Sequence, residues 1–325
     1  MSQLPPRRNF VYLRSFPINA SLALGLGVAS YYYSQMPLSN AVTSVPDAVE
    51  HPMQGRSRSD FLSVEEAEVR LRKYAQAFQF NHPKIQDITI NKVASNEPIE
   101  DRNAIWSIGT DLLVSVFDGH AGYECSAVAS QTLGSYVKRA FEQHKDKKMA
   151  LQYGFNALDK DISDAPKQFL NSLPKNAHPN DTTPIVRQFM DALTVASSGS
   201  CAISAWVGEK DVHVANAGDA RAIIGTFDNK FVELSNDQTP DSPTELARLQ
   251  KEHPGEEDTV AQRGRVLGGL MPSRSLGDNN YKWDLPFLQQ MVDFFQLKKD
   301  RSIMYRFVPR NYKTPPYVTG IIVLM

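Results

Sequence analysis

The chain has 325 residues, enough for one large domain or two ordinary ones, and its 42% hydrophobic and 22% charged residues are those of a globular protein. Lys+Arg at 35 against Asp+Glu at 36 leaves a net charge of −1, which excludes bulk electrostatic attraction to nucleic acid or an anionic membrane. The two cysteines, Cys125 and Cys201, lack metal-ligand spacing, and so few favour a reducing compartment over a disulfide framework.

Residues 1–46 contain no Asp or Glu, and Arg7, Arg8 and Arg14 are spaced among apolar and hydroxyl side chains. That is the profile of a mitochondrial presequence, with a secretory signal as the rival. The apolar run at 18–33 is shorter than the ~20 residues a membrane-spanning helix needs, so the expected location is the matrix, with weak inner-membrane association through 18–33 as the variant. Residues 37–60, carrying Pro37, Pro46, Pro52 and Gly55, read as a linker. The expected division is therefore 1–60 as presequence, apolar segment and linker, and 61–325 as one folded domain.

Apolar residues at helical spacing predict a packing helix over residues 61–80, with Glu65 and Glu66 near its positive end. Ile88, Thr89 and Ile90 form a short strand. Two further runs, 104–108 and 111–117, are separated by few enough residues for a hairpin. The second run ends in Asp118-Gly119-His120-Ala121-Gly122, a carboxylate, a glycine and an imidazole at the end of a buried strand. Carboxylates suit a hard cation such as Mg2+ or Mn2+, and an imidazole exchanges a proton near neutral pH. The hairpin would bring Glu100 and Asp101 beside Asp118, and converging carboxylates repel unless a cation neutralises them.

Helices are predicted over 124–141 and 149–162, and the proline-bearing stretch 164–184 reads as an exposed insertion. Strands at 202–207 and 211–216 follow, with Gly218 and Asp219 in a hairpin after the second and His213 a half-buried strand residue. Ser242, Pro243 and Glu245 have the pattern of a helix start with a capping box. The segment Ser198-Gly199-Ser200 lacks the Lys-Ser/Thr of a phosphate loop.

Glu100-Asp101, the run 116–122, Gly199-Ser200, the run 215–221 ending in Gly218-Asp219-Ala220-Arg221, and Ser273-Arg274-Ser275-Leu276-Gly277-Asp278 resemble, in order and spacing, the metal-dependent type 2C serine/threonine protein phosphatases. Residues 96–102, 267–274 and 312–317 resemble the mitochondrial branch of that family, the pyruvate dehydrogenase phosphatases. The resemblance implies an α+β fold, a sandwich of two antiparallel sheets flanked by helices. It implies two Mg2+ or Mn2+ ions, with a third in some sites, and hydrolysis by a metal-activated water without a phospho-enzyme. By position, Asp118 would bridge the ions, Gly119 would offer its carbonyl, Glu100 and Asp101 would act through water, and Asp219 would serve the third ion. His120 would be the general acid. Asn96 stands where many members have an arginine for the substrate phosphate, as in the mitochondrial branch, and would steady that phosphate. Arg274 and Asp278 take structural roles in this reading.

The implied substrate is a phosphoserine protein, the pyruvate dehydrogenase complex, with no nucleic-acid partner; a metal nuclease lacks the basic groove it would need. The family's late Asp-Gly-x-Trp and Asp-Asn runs are missing, and no Asp or Glu follows Asp300. A C-terminal truncation is therefore expected, with a bare sheet edge and exposed core surface. The alternative function is a catalytically impaired phosphatase-like binding or regulatory protein.

Overall fold

The computed structural model describes residues 11–12, 62–79, 85–295 and 308–325. The expected presequence, apolar run and linker, except Val11 and Tyr12, lie outside the described residues. No helix among the described residues is long and apolar enough to cross a membrane.

The organising strand is β5 (Asp111–His120), which pairs antiparallel with β4 (Arg102–Ile108) across the tight turn at Gly109 and Thr110. Its other edge pairs with β6 (Gly199–Val207), which pairs with β7 (Val212–Ala217). With β13 (Val323–Leu324) on the far side of β7, and β12 (Leu276–Gly277) joined to the end of β6, these make a six-stranded sheet. The alternating residues of β5 serve two cores. Leu113 and Phe117 enter the main core with Trp206 and Ala202 of β6. That face is covered by α2 (Glu124–His144) and α3 (Lys147–Ser172), through Ala129, Leu133 and Val137 on one helix and Leu151, Phe155 and Leu158 on the other. Leu112 and Val114 face the opposite way, onto Ile88 and Ile90. Those two isoleucines belong to β3 (Asp87–Ile90), the middle strand of a small sheet with β1 (Val11–Tyr12) and β2 (Gln76–Gln79). The result is the expected α+β arrangement, two antiparallel sheets with helices outside, one sheet much larger than the other.

Several local expectations are corrected. The helix expected over 61–80 is α1 (Val64–Arg72), opened by the Ser63–Glu66 capping box; residues 76–79 instead form β2, because pairing with β3 satisfies their backbone. The insertion expected at 164–184 is helical in its first part, since α3 continues to Ser172 with Pro166 buried in it; 173–183 is a mostly exposed connection, and α4 (Pro184–Ser197) begins at its end. Gly218 and Asp219 do not close a hairpin on β7. The next strand, β8 (Ile223–Gly225), pairs with β9 (Phe231–Glu233) in a separate two-stranded ribbon, and β10 (Ala261–Gln262) with β11 (Arg265–Val266) in another.

At α5 (Pro243–Glu252), Ser242 makes no capping bond and Glu245 is not part of a capping box. Glu245 is buried and accepts hydrogen bonds from Arg274 (2.7 Å), Arg248 (2.9 Å) and Ser273 Oγ (2.6 Å). Although burial works the other way, these donors hold its carboxyl down at about 2. Arg274 thus takes the structural place expected of it, and also donates to the carbonyl of Ile321 at 3.0 Å. The bare edge expected at the sheet margin is partly covered, since Val214 and Met325 exchange two backbone bonds of 3.0 Å beside β13. Exposed apolar surface is found on the β8–β9 ribbon, at Ile223, Phe231 and Val232.

Candidate functional site

β5 runs through the core and delivers Asp118, Gly119 and His120 at its end. The β4–β5 register places Arg102 opposite Phe117, so Glu100 and Asp101, just ahead of β4, arrive beside this end of the strand. Gly119 is needed for that approach: a Cβ there would lie 2.4 Å from the Glu100 carbonyl oxygen and 2.7 Å from Ser126 Oγ. Ser126 Oγ donates to the same carbonyl at 2.5 Å and fixes it. The Glu100 carboxylate accepts the Gly122 N–H at 2.8 Å and the Asn96 side-chain amide. Asn96 is thus drawn to the site through Glu100.

Asp219 follows the end of β7 and accepts a hydrogen bond from the Cys201 thiol at 3.2 Å. Cys201 is the cross-strand partner of Asp118, so this thiol brings Asp219 over the same strand end. Burial, and then the negative charges of Asp101, Asp219 and Glu100, push the Asp118 carboxyl up to about 6, with His120 acting in the opposite sense.

On the other flank, His120 Nε2 lies 2.8 Å from Asp278 Oδ2. Burial alone would lower the imidazole pKa. The charge and hydrogen bond of Asp278, then Asp118 and Asp219, outweigh it and raise it to about 9. Gly199, opposite His120 on β6, leaves room for this pair, because a Cβ there would stand 2.2 Å from His120 Nε2.

The structure therefore brings Asp118, Gly119, Glu100, Asp101, Asp219, His120 and Asn96 to one end of the large sheet. Sequence reasoning missed the position of Asp278, given above as structural, and the contacts of Ser275 and Cys201. A signal existed for Asp278, whose Gly277-Asp278 motif was visible, but its partner lies 158 residues away in sequence. The donor chemistry fits a hard divalent cation: the oxygens are carboxylates, and their repulsion at Asp118 is what such an ion relieves. Among the described residues no three His, Cys, Asp or Glu side chains stand at ligating spacing. Asp118, Asp101 and Asp219 would be the residues to hold the ion, with the carbonyl of Gly119 beside them.

Residues 109–293 match the Protein phosphatase 2C family. The human mitochondrial pyruvate dehydrogenase (acetyl-transferring) phosphatase 1 is 31% identical over 285 residues, 71% of this chain and 53% of that protein. The Saccharomyces cerevisiae protein of the same name is 34% identical over 260 residues, 74% of this chain and 42% of that one. A protein phosphatase 2C homolog of Schizosaccharomyces pombe is 31% identical over 342 residues, 98% of this chain and 71% of that one. The chain thus spans about half the length of the human relative, or less in the case of budding yeast. On the matched residues and these identities, the chain belongs to the protein phosphatase 2C family, in the branch of the mitochondrial pyruvate dehydrogenase phosphatases.

Proposed function

We propose that this protein is a Mg2+- or Mn2+-dependent serine/threonine phosphatase that removes phosphate from seryl residues of the pyruvate dehydrogenase complex in the mitochondrial matrix. The observation that carries this reading is the meeting of Asp118 with Asp101, Asp219 and Glu100 at one strand end, beside His120. The divalent ions, when bound, neutralise phosphoryl oxygens and lower the pKa of a water. The protein's own residues do the rest. Asp118, Asp101 and Asp219 would hold the ions, and Gly119, lacking a Cβ, leaves room for the Glu100 carbonyl. Glu100 and Asn96, already hydrogen-bonded to each other, line the side where a phosphate would sit, with the Asn96 amide steadying its oxygens. His120 gives a proton to the departing seryl oxygen. The presequence-like residues 1–46 and the mitochondrial names of the human and yeast relatives support the location.

A second reading, a phosphatase-like protein that binds the phosphorylated partner without turning it over, is favoured by the engagement of the Glu100 carboxylate with Asn96 and Gly122. Hydrolysis of a phosphoseryl peptide by the purified 325-residue chain separates the two. The phosphatase reading expects Mn2+-dependent turnover that falls by roughly 10²–10³-fold in Asp118→Asn, comparable to the loss of a main electrostatic stabiliser. Equal turnover in the two proteins, or none in either, would overturn it.

A further inference from the structure

We propose that Asp278 is a positioning residue for His120: it anchors the ring through Nε2 and leaves Nδ1 to deliver the proton to the substrate oxygen. This rests on the phosphatase reading above. The Asp278 carboxylate is almost wholly buried, and its Oδ2 meets both His120 Nε2 at 2.8 Å and Ser275 Oγ at 2.5 Å. Ser275 therefore orients the oxygen that orients the ring. Asp278 itself sits in the left-handed region, at φ 50°, with its N–H donating to the Ser198 carbonyl at 3.0 Å. A residue held in that conformation needs the surrounding structure to fix it.

The surroundings do so from the helix layer. Asp159 of α3 accepts the Gly277 N–H at 3.0 Å and the Lys282 ammonium at 2.7 and 2.8 Å. Lys282 also donates to the Ser275 carbonyl at 2.8 Å. One largely enclosed ion pair thus clamps the 275–278 turn at Ser275 and Gly277. The same turn pairs with the end of β6, Leu276 opposite Ser200 and Gly277 opposite Gly199. Gly199 completes the arrangement, since a Cβ would come within 2.3 Å of both Asp278 carboxylate oxygens.

With Nε2–H kept on Asp278, proton delivery uses Nδ1. As water forms its bond to phosphorus and the seryl oxygen–phosphorus bond breaks, the Nδ1 proton passes to that oxygen, and the water's own protons leave on the phosphate. The ring is left neutral, with its Nε2 proton in place.

The test pairs kinetics with a spectroscopic readout. A phosphoseryl peptide has a poor leaving group that needs a proton, whereas p-nitrophenyl phosphate has a good one. In Asp278→Ala, kcat on the peptide should fall on the order of 10²-fold, as for loss of general-acid assistance. The fall on p-nitrophenyl phosphate should be several-fold smaller. Ser275→Ala, which leaves the turn's backbone bonds intact, should shift the ratio the same way by a lesser factor. In ¹⁵N-detected imidazole spectra, the exchange-protected Nε2–H signal, assigned by its loss in His120→Gln, should disappear in Asp278→Ala and weaken in Ser275→Ala. Persistence of that signal in both variants, or equal losses on both substrates, would overturn the proposal. A wild-type chain inactive on both substrates would count against the phosphatase reading, and the imidazole spectra alone would then decide the positioning role.

Discussion

Two acidic side chains, Glu245 and Asp118, show opposite solutions to the same problem. Glu245 is buried among Arg248, Arg274 and Ser273, and its carboxyl is held down at about 2. Asp118 stands among Asp101, Asp219 and Glu100, and its carboxyl is pushed up to about 6. The first charge is fully answered by the protein and joins α5 to the loop ahead of β12. Among the described residues, His120 is the group that offsets the second charge, and it leaves that carboxyl well above the usual range. A carboxylate satisfied by its own protein is architecture; one set against its own kind marks a binding site.

The comparison breaks most sharply in Glu245→Ala. Two guanidinium groups would lose their buried partner, and the cost should be about 3–5 kcal/mol, read by urea denaturation. The same residue sets an acid limit. Its folded pKa lies below the ordinary 4.5, so its stabilisation is complete above that value and is lost as pH falls from there through about 2. The loss is on the order of 3 kcal/mol, and should vanish from the pH profile of Glu245→Gln.

Asp118→Asn should have the opposite sign. With divalent ions removed by EDTA, relief of repulsion at this solvent-open position should stabilise the protein by about 1 kcal/mol, after allowance for screening. A destabilised variant would mean that Asp118 belongs with Glu245. The smallest effect is expected at Ser242→Ala. Because Ser242 makes no capping bond to α5, its loss should cost less than ~0.5 kcal/mol, below the usual price of a cap.

How much of this was legible beforehand follows from sequence distance. The β4–β5 hairpin, and with it the meeting of Glu100, Asp101 and Asp118, was readable because alternation and a short turn are local signals. The helix start at Glu65 and Glu66 was readable for the same reason, and α1 does begin there, capped by Ser63. Glu245 was misread because the local helix-start pattern around Ser242 competes with two long-range partners, Ser273 and Arg274, 28 and 29 residues away. Residues 76–79 were misread because strand pairing with β3 overrides a helical pattern. Pro166 suggested a break, yet it is buried within α3, where packing outweighs the lost backbone bond. Asp278 was hardest of all: its place depends on a left-handed backbone and on β6, which supplies the space at Gly199.

The central claim is that the acidic end of β5 exists to hold a divalent cation. Isothermal titration of Mn2+ into the metal-free chain and into Asp118→Asn tests it without reference to turnover. Saturable binding by the first, weakened at least tenfold in the second, is the predicted result. The same affinity in both would contradict it.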